Sequence, residues 1–149
     1  MANTQDPIRS ESDFLLRLIK EKAGVEFDYS LFTLLYLDKV LEELFGPGMQ
    51  KIPREGMEGF RKSLRLQIAC LYGECIRETF SGEWEQDPEL GLCLKNIANQ
   101  QVTILPLSTA EDRMNGDDTK LFAAAQSVSR EVFKQVSAKF YGKSDELGR

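Results

Sequence analysis

Histidine does not occur among the 149 residues of this chain. That absence removes the commonest general base and the commonest transition-metal ligand. Ser–His and Cys–His nucleophile systems are excluded, and so are His-ligated zinc sites. Basic runs are missing as well. There are 19 Lys and Arg against 24 Asp and Glu, for a net charge of −5 and a pI of about 4.9. Binding to a nucleic-acid backbone needs concentrated positive charge, so no nucleic-acid partner is expected. No apolar run approaches the roughly 20 residues that span a bilayer. The opening MANTQDPIRSESD lacks the basic and apolar regions of a secretory signal. A cytoplasmic location without membrane contact is the expectation. GxGxxG and GxxxxGK[ST] are both absent, and no cofactor is expected.

Cysteine is scarce and badly spaced for chemistry. Cys70, Cys75 and Cys93 form no metal knuckle and no CxxC pair. Cys70 and Cys75, five apart on one helix, point roughly 140° away from each other and should not pair. Buried free thiols in a reducing compartment are the simplest reading.

What is present is an ordinary globular composition, 42% hydrophobic and 29% charged, at a length suited to one domain. The polar ends, residues 1–9 and 143–149, read as disordered tails around a domain at 10–142. SESDFLLRLIKEKAG predicts a first helix, capped by Ser10 or Ser12 and stopped by Gly24. A second helix follows, with Asp28 as its cap and Phe27 and Phe32 as a hydrophobic staple. Its apolar stripe runs from Leu31 to Leu44, and Asp38, Lys39, Glu42 and Glu43 form the wet side.

A third helix is predicted from about Glu55 to Phe80, with Met57, Phe60, Leu64, Ile68, Leu71 and Cys75 along one face. From Ile68 to Ile76 apolar residues cover almost every direction, which predicts that this half crosses the centre of the domain. LGLCLKNIA and QVTILPLS read as two antiparallel strands connected near Asn99, with a third short strand around Trp84 set off by Pro88. Pro106 suggests an edge or terminal position, and STAEDRMNGDD a loop or a short helical turn capped by Ser108 or Thr109. Asp118 or Thr119 would cap a last helix, Lys120 to Tyr141. Leu121, Phe122, Ala125, Val128, Val132, Val136 and Phe140 would form its core face. The expected fold is α+β: three N-terminal helices, a small antiparallel sheet of two or three strands, and a C-terminal helix.

The stretch LYGECIRETFSGEWE concentrates the candidate site. Glu74 and Arg77, three apart on the buried half of the third helix, share a face. A carboxylate there costs several kcal/mol unless paired, and Arg77 is the nearest partner. Glu74 is read as a paired anchor, with extra hydrogen bonds from backbone amides of the strands. The rival is a general base with a raised pKa. Gly73 should admit a neighbouring backbone, Gly82 should terminate the helix in a left-handed conformation, and Trp84 should plug the core with its indole N–H on one acceptor. Around Arg113 and Gly116, the acids Glu111, Asp112, Asp117 and Asp118 form a cluster without the ligand pattern of a calcium loop; capping of the next helix is the simpler reading. Tyr29, Phe32 and Tyr36 recur at helical spacing as a row that meets either a partner or the first helix.

Gly73, Glu74, Arg77, Gly82, Trp84, Pro106, Arg113 and Gly116 together resemble an uncharacterised bacterial family of unknown function. In that family a Gly-Glu-x-x-Arg helix leads into a Gly-x-Trp turn, a strand pair, and a Pro, Arg and Gly before the last helix. The resemblance spans Tyr72 to Phe122. It implies a cytoplasmic bacterial α+β domain and brings no activity, substrate or catalytic residue.

The leading functional expectation is a non-enzymatic protein-interaction module: an adaptor, a chaperone-like protein or an immunity-type binder. Its partner would be another protein or a second copy in a homodimer. The alternative is a small enzyme or ligand-binding protein whose pocket is lined by Glu74, Arg77 and Trp84.

Overall fold

A computed structural model describes residues 5–53, 55–116 and 120–147, with side chains within 7–140. Its centre is the second half of helix α3, Glu58–Phe80, where every residue from Ile68 to Ile76 is buried. This is what an all-round apolar helix requires. Helices α1 (Gln5–Ala23), α2 (Leu31–Phe45), α4 (Pro106–Met114) and α5 (Leu121–Leu147) all contact it. Leu15, Ile19, Leu34, Leu37, Leu41, Ile68, Leu71, Ile76, Leu94 and Leu121 meet in one cluster. Each such side chain contributes about 1.5–3 kcal/mol on burial. The architecture is α+β, and no helix of the described residues is long and apolar enough to cross a membrane.

The helix ends revise several expectations. Helix α1 begins at Gln5, so residues 5–9 are helical and not part of a tail, and Ser12 lies inside the helix. Its hydroxyl donates to the Arg9 carbonyl, a bond within the helix that leaves it no capping role. Gly24 does close α1, at φ +69°, with its amide on the Lys20 carbonyl. Helix α2 starts later than predicted. Ser30, not Asp28, holds the extended cap position, and no side chain caps it. Phe27 and Phe32 form no staple. Phe27 packs on Tyr36, with ring centroids 4.6 Å apart, while Phe32 turns outward. Helix α3 starts at Glu58, and its first apolar residues, Met57 and Phe60, are exposed.

The sheet has two strands among the described residues. Strand β1 (Glu83–Asp87) pairs antiparallel with β2 (Gly91–Lys95), Trp84 opposite Leu94. Asp87 builds the hairpin turn around Pro88: its Oδ1 accepts the amides of Glu89 and Leu90, at 2.8 and 3.0 Å. Its Oδ2 accepts Lys95 Nζ at 2.9 Å. Lys95 and the two amides hold the Asp87 carboxyl down at about 2. The segment predicted as the second main strand contributes only a bridge between Leu94 and Ile104, and the connection at Ile97–Asn99 is a 3₁₀ turn. Of the two positions expected for Pro106, the terminal one is found. It is the first residue of α4, where a missing N–H costs nothing. Ser108 and Thr109 lie within that helix and do not cap it. Helix α5 runs on to Leu147.

Candidate functional site

The Glu74 side chain is fully buried between α1, α3 and β1. Its two oxygens serve three side chains. Arg77 Nε donates to Oε2 at 2.6 Å and Arg77 Nη2 to Oε1 at 3.4 Å. Trp84 Nε1 donates to Oε2 at 3.0 Å. Arg9 Nη1 donates to Oε1 at 3.1 Å and also to Glu78 Oε1 at 2.9 Å. Burial alone would raise the Glu74 carboxyl, but the bonds from Arg77, Trp84 and Arg9 outweigh it and hold the group below its ordinary value. A general base near neutrality requires the opposite shift. The expected pairing with Arg77 is present. The expected backbone donors are replaced by an indole and by Arg9, a residue read as tail.

Arg9 is itself held from below. Its guanidinium lies 3.7 Å from the centroid of the Tyr29 ring, a cation–π contact. The Tyr29 hydroxyl donates to Asp13 and shares a hydrogen bond with Ser12. Burial, first, and donation to Asp13 push the Tyr29 hydroxyl up. Of the two contacts expected for the aromatic row, Tyr29 therefore makes the one with the first helix.

Gly73 meets a side chain, not the neighbouring backbone predicted for it. A Cβ there would lie 2.1 Å from Trp84 Cη2 and 2.4 Å from Cζ2. The indole thus lies directly on the α3 backbone, one residue before the carboxylate that accepts its N–H. The helix terminator is also displaced by one residue. Ser81 takes φ +72° and its amide caps the Arg77 carbonyl, while Gly82 follows at φ +156°, a backbone that favours glycine, and brushes Leu94. Gly73, Glu74, Arg77 and Trp84 form one joint.

Arg113 lies elsewhere. Its side chain is buried against α2, with Nε donating to Asp38 Oδ1 at 2.9 Å. Asp38 was expected on the wet side of α2. Instead it is 3% exposed, and its carboxylate also accepts the amides of Leu121 and Phe122, both at 3.0 Å. It thereby caps α5 from a different helix. The predicted caps, Asp118 and Thr119, lie outside the described residues, as does Asp117. Gly116 fits close by because a Cβ would approach the Gly48 carbonyl oxygen to 2.7 Å, at a φ of +79°. Sequence reasoning missed Asp38 because a polar residue at the rim of an apolar stripe reads as solvated.

The outer surface carries an aromatic face. Phe32, Leu35 and Tyr36 of α2 are exposed, Phe32 by 68%. Phe32 stacks on Phe122 of α5, with ring centroids 6.3 Å apart. The predicted core face of α5 holds through Leu121, Ala125, Val128 and Val132 and then ends. Val136 and Phe140 are exposed, as is Phe133 at 73%. At 100° per residue, Phe122, Phe133, Val136 and Phe140 fall within one narrow stripe, adjacent to the buried one.

Five open surface hollows, of about 290, 320, 370, 340 and 150 Å³, are lined by other residues; Glu74, Arg77, Trp84 and Arg113 line none of these five. All three cysteines are free and buried, and burial pushes the Cys70 thiol up to about 12. Comparison with family models, curated proteins and solved structures finds no match.

Proposed function

We propose that this chain is a cytoplasmic protein-interaction module, and that Phe32, Leu35, Tyr36, Phe122 and Phe133 form its contact face. The observation that carries the reading is the exposure of Phe133 and Phe32, at 73% and 68%, on two helices joined by the Phe32–Phe122 stack. Large aromatics held in water on rigid helices match the anchor residues of protein interfaces. Phe133 stands about 16 Å beyond Phe122 along the α5 axis, which gives the face the length of a helix-sized contact. Support also comes from Glu74, whose oxygens are fully engaged by Arg77, Trp84 and Arg9. That supports reading the joint as architecture, since the pocket reading is left without a free acid.

Photo-crosslinking in the source cell tests the proposal. A crosslinking residue replaces Phe133 or Phe32, with Glu89 at the hairpin tip as control. Discrete protein adducts are expected from both aromatic positions and not from the control. An adduct mass of twice the chain identifies a second copy, and any other mass a different partner. Adduct yields no higher than at Glu89 would sink the proposal.

A further inference from the structure

One face of α3 is polar for a reason the fold does not exhaust. Glu58, Arg61, Lys62 and Arg65 stand at i, i+3, i+4 and i+7, which puts all four on one side of the helix. With Glu111 of α4 they line an open hollow of about 290 Å³. Three cations and two carboxylates leave a local positive excess on a chain whose net charge is −5.

The cations are unevenly satisfied. Arg61 is tied in place, with Nη1 on the Pro53 carbonyl at 3.2 Å and Nη2 on Asn115 Oδ1 at 3.3 Å. Arg65 is not. Its Nη1 reaches Glu111 Oε2 only at 3.4 Å, and its Nε–H is buried without any acceptor. Among the described residues it is the sole buried side-chain polar atom in that condition. Leaving such a donor unmet is costly, and native structures rarely leave one without purpose. The Nε–H and a neighbouring N–H of a guanidinium form the fork that binds a phosphate or carboxylate through two oxygens.

We propose that this hollow is an oxyanion site for the phosphate group of a small molecule. Arg65, whose side chain is 37% exposed, supplies the fork by turning its sealed Nε–H edge into the hollow, and Lys62, exposed at the rim, supplies a mobile point charge. Arg61, already oriented by Pro53 and Asn115, forms the wall. Two carboxylates already line the hollow and still leave the Arg65 donor unmet; a tetrahedral phosphate, with more acceptor oxygens than a carboxylate, can serve the Arg65 fork and Lys62 at once. The site lies on α3 and α4, away from the aromatic face, and its fate is independent of the partner reading.

Nuclear magnetic resonance of the arginine Nε–H groups tests it, with inorganic phosphate titrated at constant ionic strength against chloride and, in a second arm, acetate. The expected result is a saturable shift of the Arg65 Nε–H signal with phosphate and a weaker response to acetate. Arg65→Lys keeps the charge and removes the fork; followed at the Arg61 Nε–H signal, which also serves as the common reporter for all three proteins, it should weaken binding about tenfold or more, the scale of one lost charge-assisted bond. Lys62→Gln changes an exposed side chain with no risk to the fold and should weaken it by a few-fold. An equal response to both anions reassigns the site to oxyanions in general and overturns the phosphate preference. Unsaturable shifts to high phosphate, or identical titrations in wild type and both variants, mean an adventitious ion only and overturn the site.

Discussion

Glu74 on α3 and Asp38 on α2 are both shut away from water, yet they are satisfied by different kinds of donor. Glu74 takes side-chain donors only: two guanidinium groups and an indole. Asp38 takes one guanidinium and two backbone amides at the start of α5. The Glu74 cations reach the surface, Arg9 being 36% and Arg77 20% exposed, whereas Arg113 beside Asp38 is 2% exposed. The first centre can borrow water when damaged. The second cannot, and it also holds a helix terminus. A buried carboxylate can thus lock side chains together or set where a helix begins, and the two roles should fail differently.

The largest effect is expected at the sealed centre. Arg113→Met leaves Asp38 without its cation, and stability should fall by about 3–5 kcal/mol in urea unfolding followed by circular dichroism. Adding Asp38→Leu should recover part of that loss but not the cap on α5, itself worth about 1 kcal/mol. Full recovery would mean that the amide bonds to Asp38 contribute nothing.

Glu74→Gln comes next, at about 1–3 kcal/mol, because Arg9 and Arg77 can turn to solvent. Its pH dependence has a definite sign. The folded Glu74 carboxyl sits below its ordinary value of 4.5, so its contribution is complete above that value and fades as pH falls through the depressed one. The variant should lose that acid-side decline, and parallel wild-type and variant curves below pH 5 would contradict the assignment.

Gly73→Ala should cost about 1–3 kcal/mol by displacing the indole, with Trp84→Leu in the same chain restoring much of it. No rescue would place the strain elsewhere. The smallest effect belongs to Arg9→Ala. Partial exposure and screening limit it to about 1 kcal/mol, and salt should shrink it further. A larger loss in high salt would point to packing on Tyr29 as the dominant part.

The side-chain centre was largely legible in the chain and the cap was not. Glu74 and Arg77 lie three apart on a helix whose neighbours are apolar all round, so periodicity alone brought them together. Trp84 was readable as a plug for the same local reason. Arg9 was hidden by a polar, proline-containing start, although Pro7 is compatible with the first turn of a helix. Asp38 was hidden by distance. Its donors lie 75, 83 and 84 residues away, and nothing in a heptad pattern reports them. The strand pairing was legible in part: the strand around Trp84 is present and Leu94 bridges Ile104 antiparallel, but the full ladder forms between β1 and β2 because pairing depends on which turn closes. Asp87 and Pro88 closed the first one. The outward Phe133 was passed over because it falls off the predicted core stripe of α5.

The chain has one tryptophan, and its indole N–H is bonded to Glu74. Its fluorescence is therefore a report from a single address, where α1, α3 and β1 meet. Circular dichroism, dominated by the five α-helices of the described residues, averages over the whole molecule. The protein thus carries two intrinsic signals of different reach, with no label added. If they change together on unfolding, both buried carboxylates belong to one cooperative unit. An ellipticity change that precedes the emission change would mean that α5 and its cap separate first, while the tryptophan stays seated on Gly73.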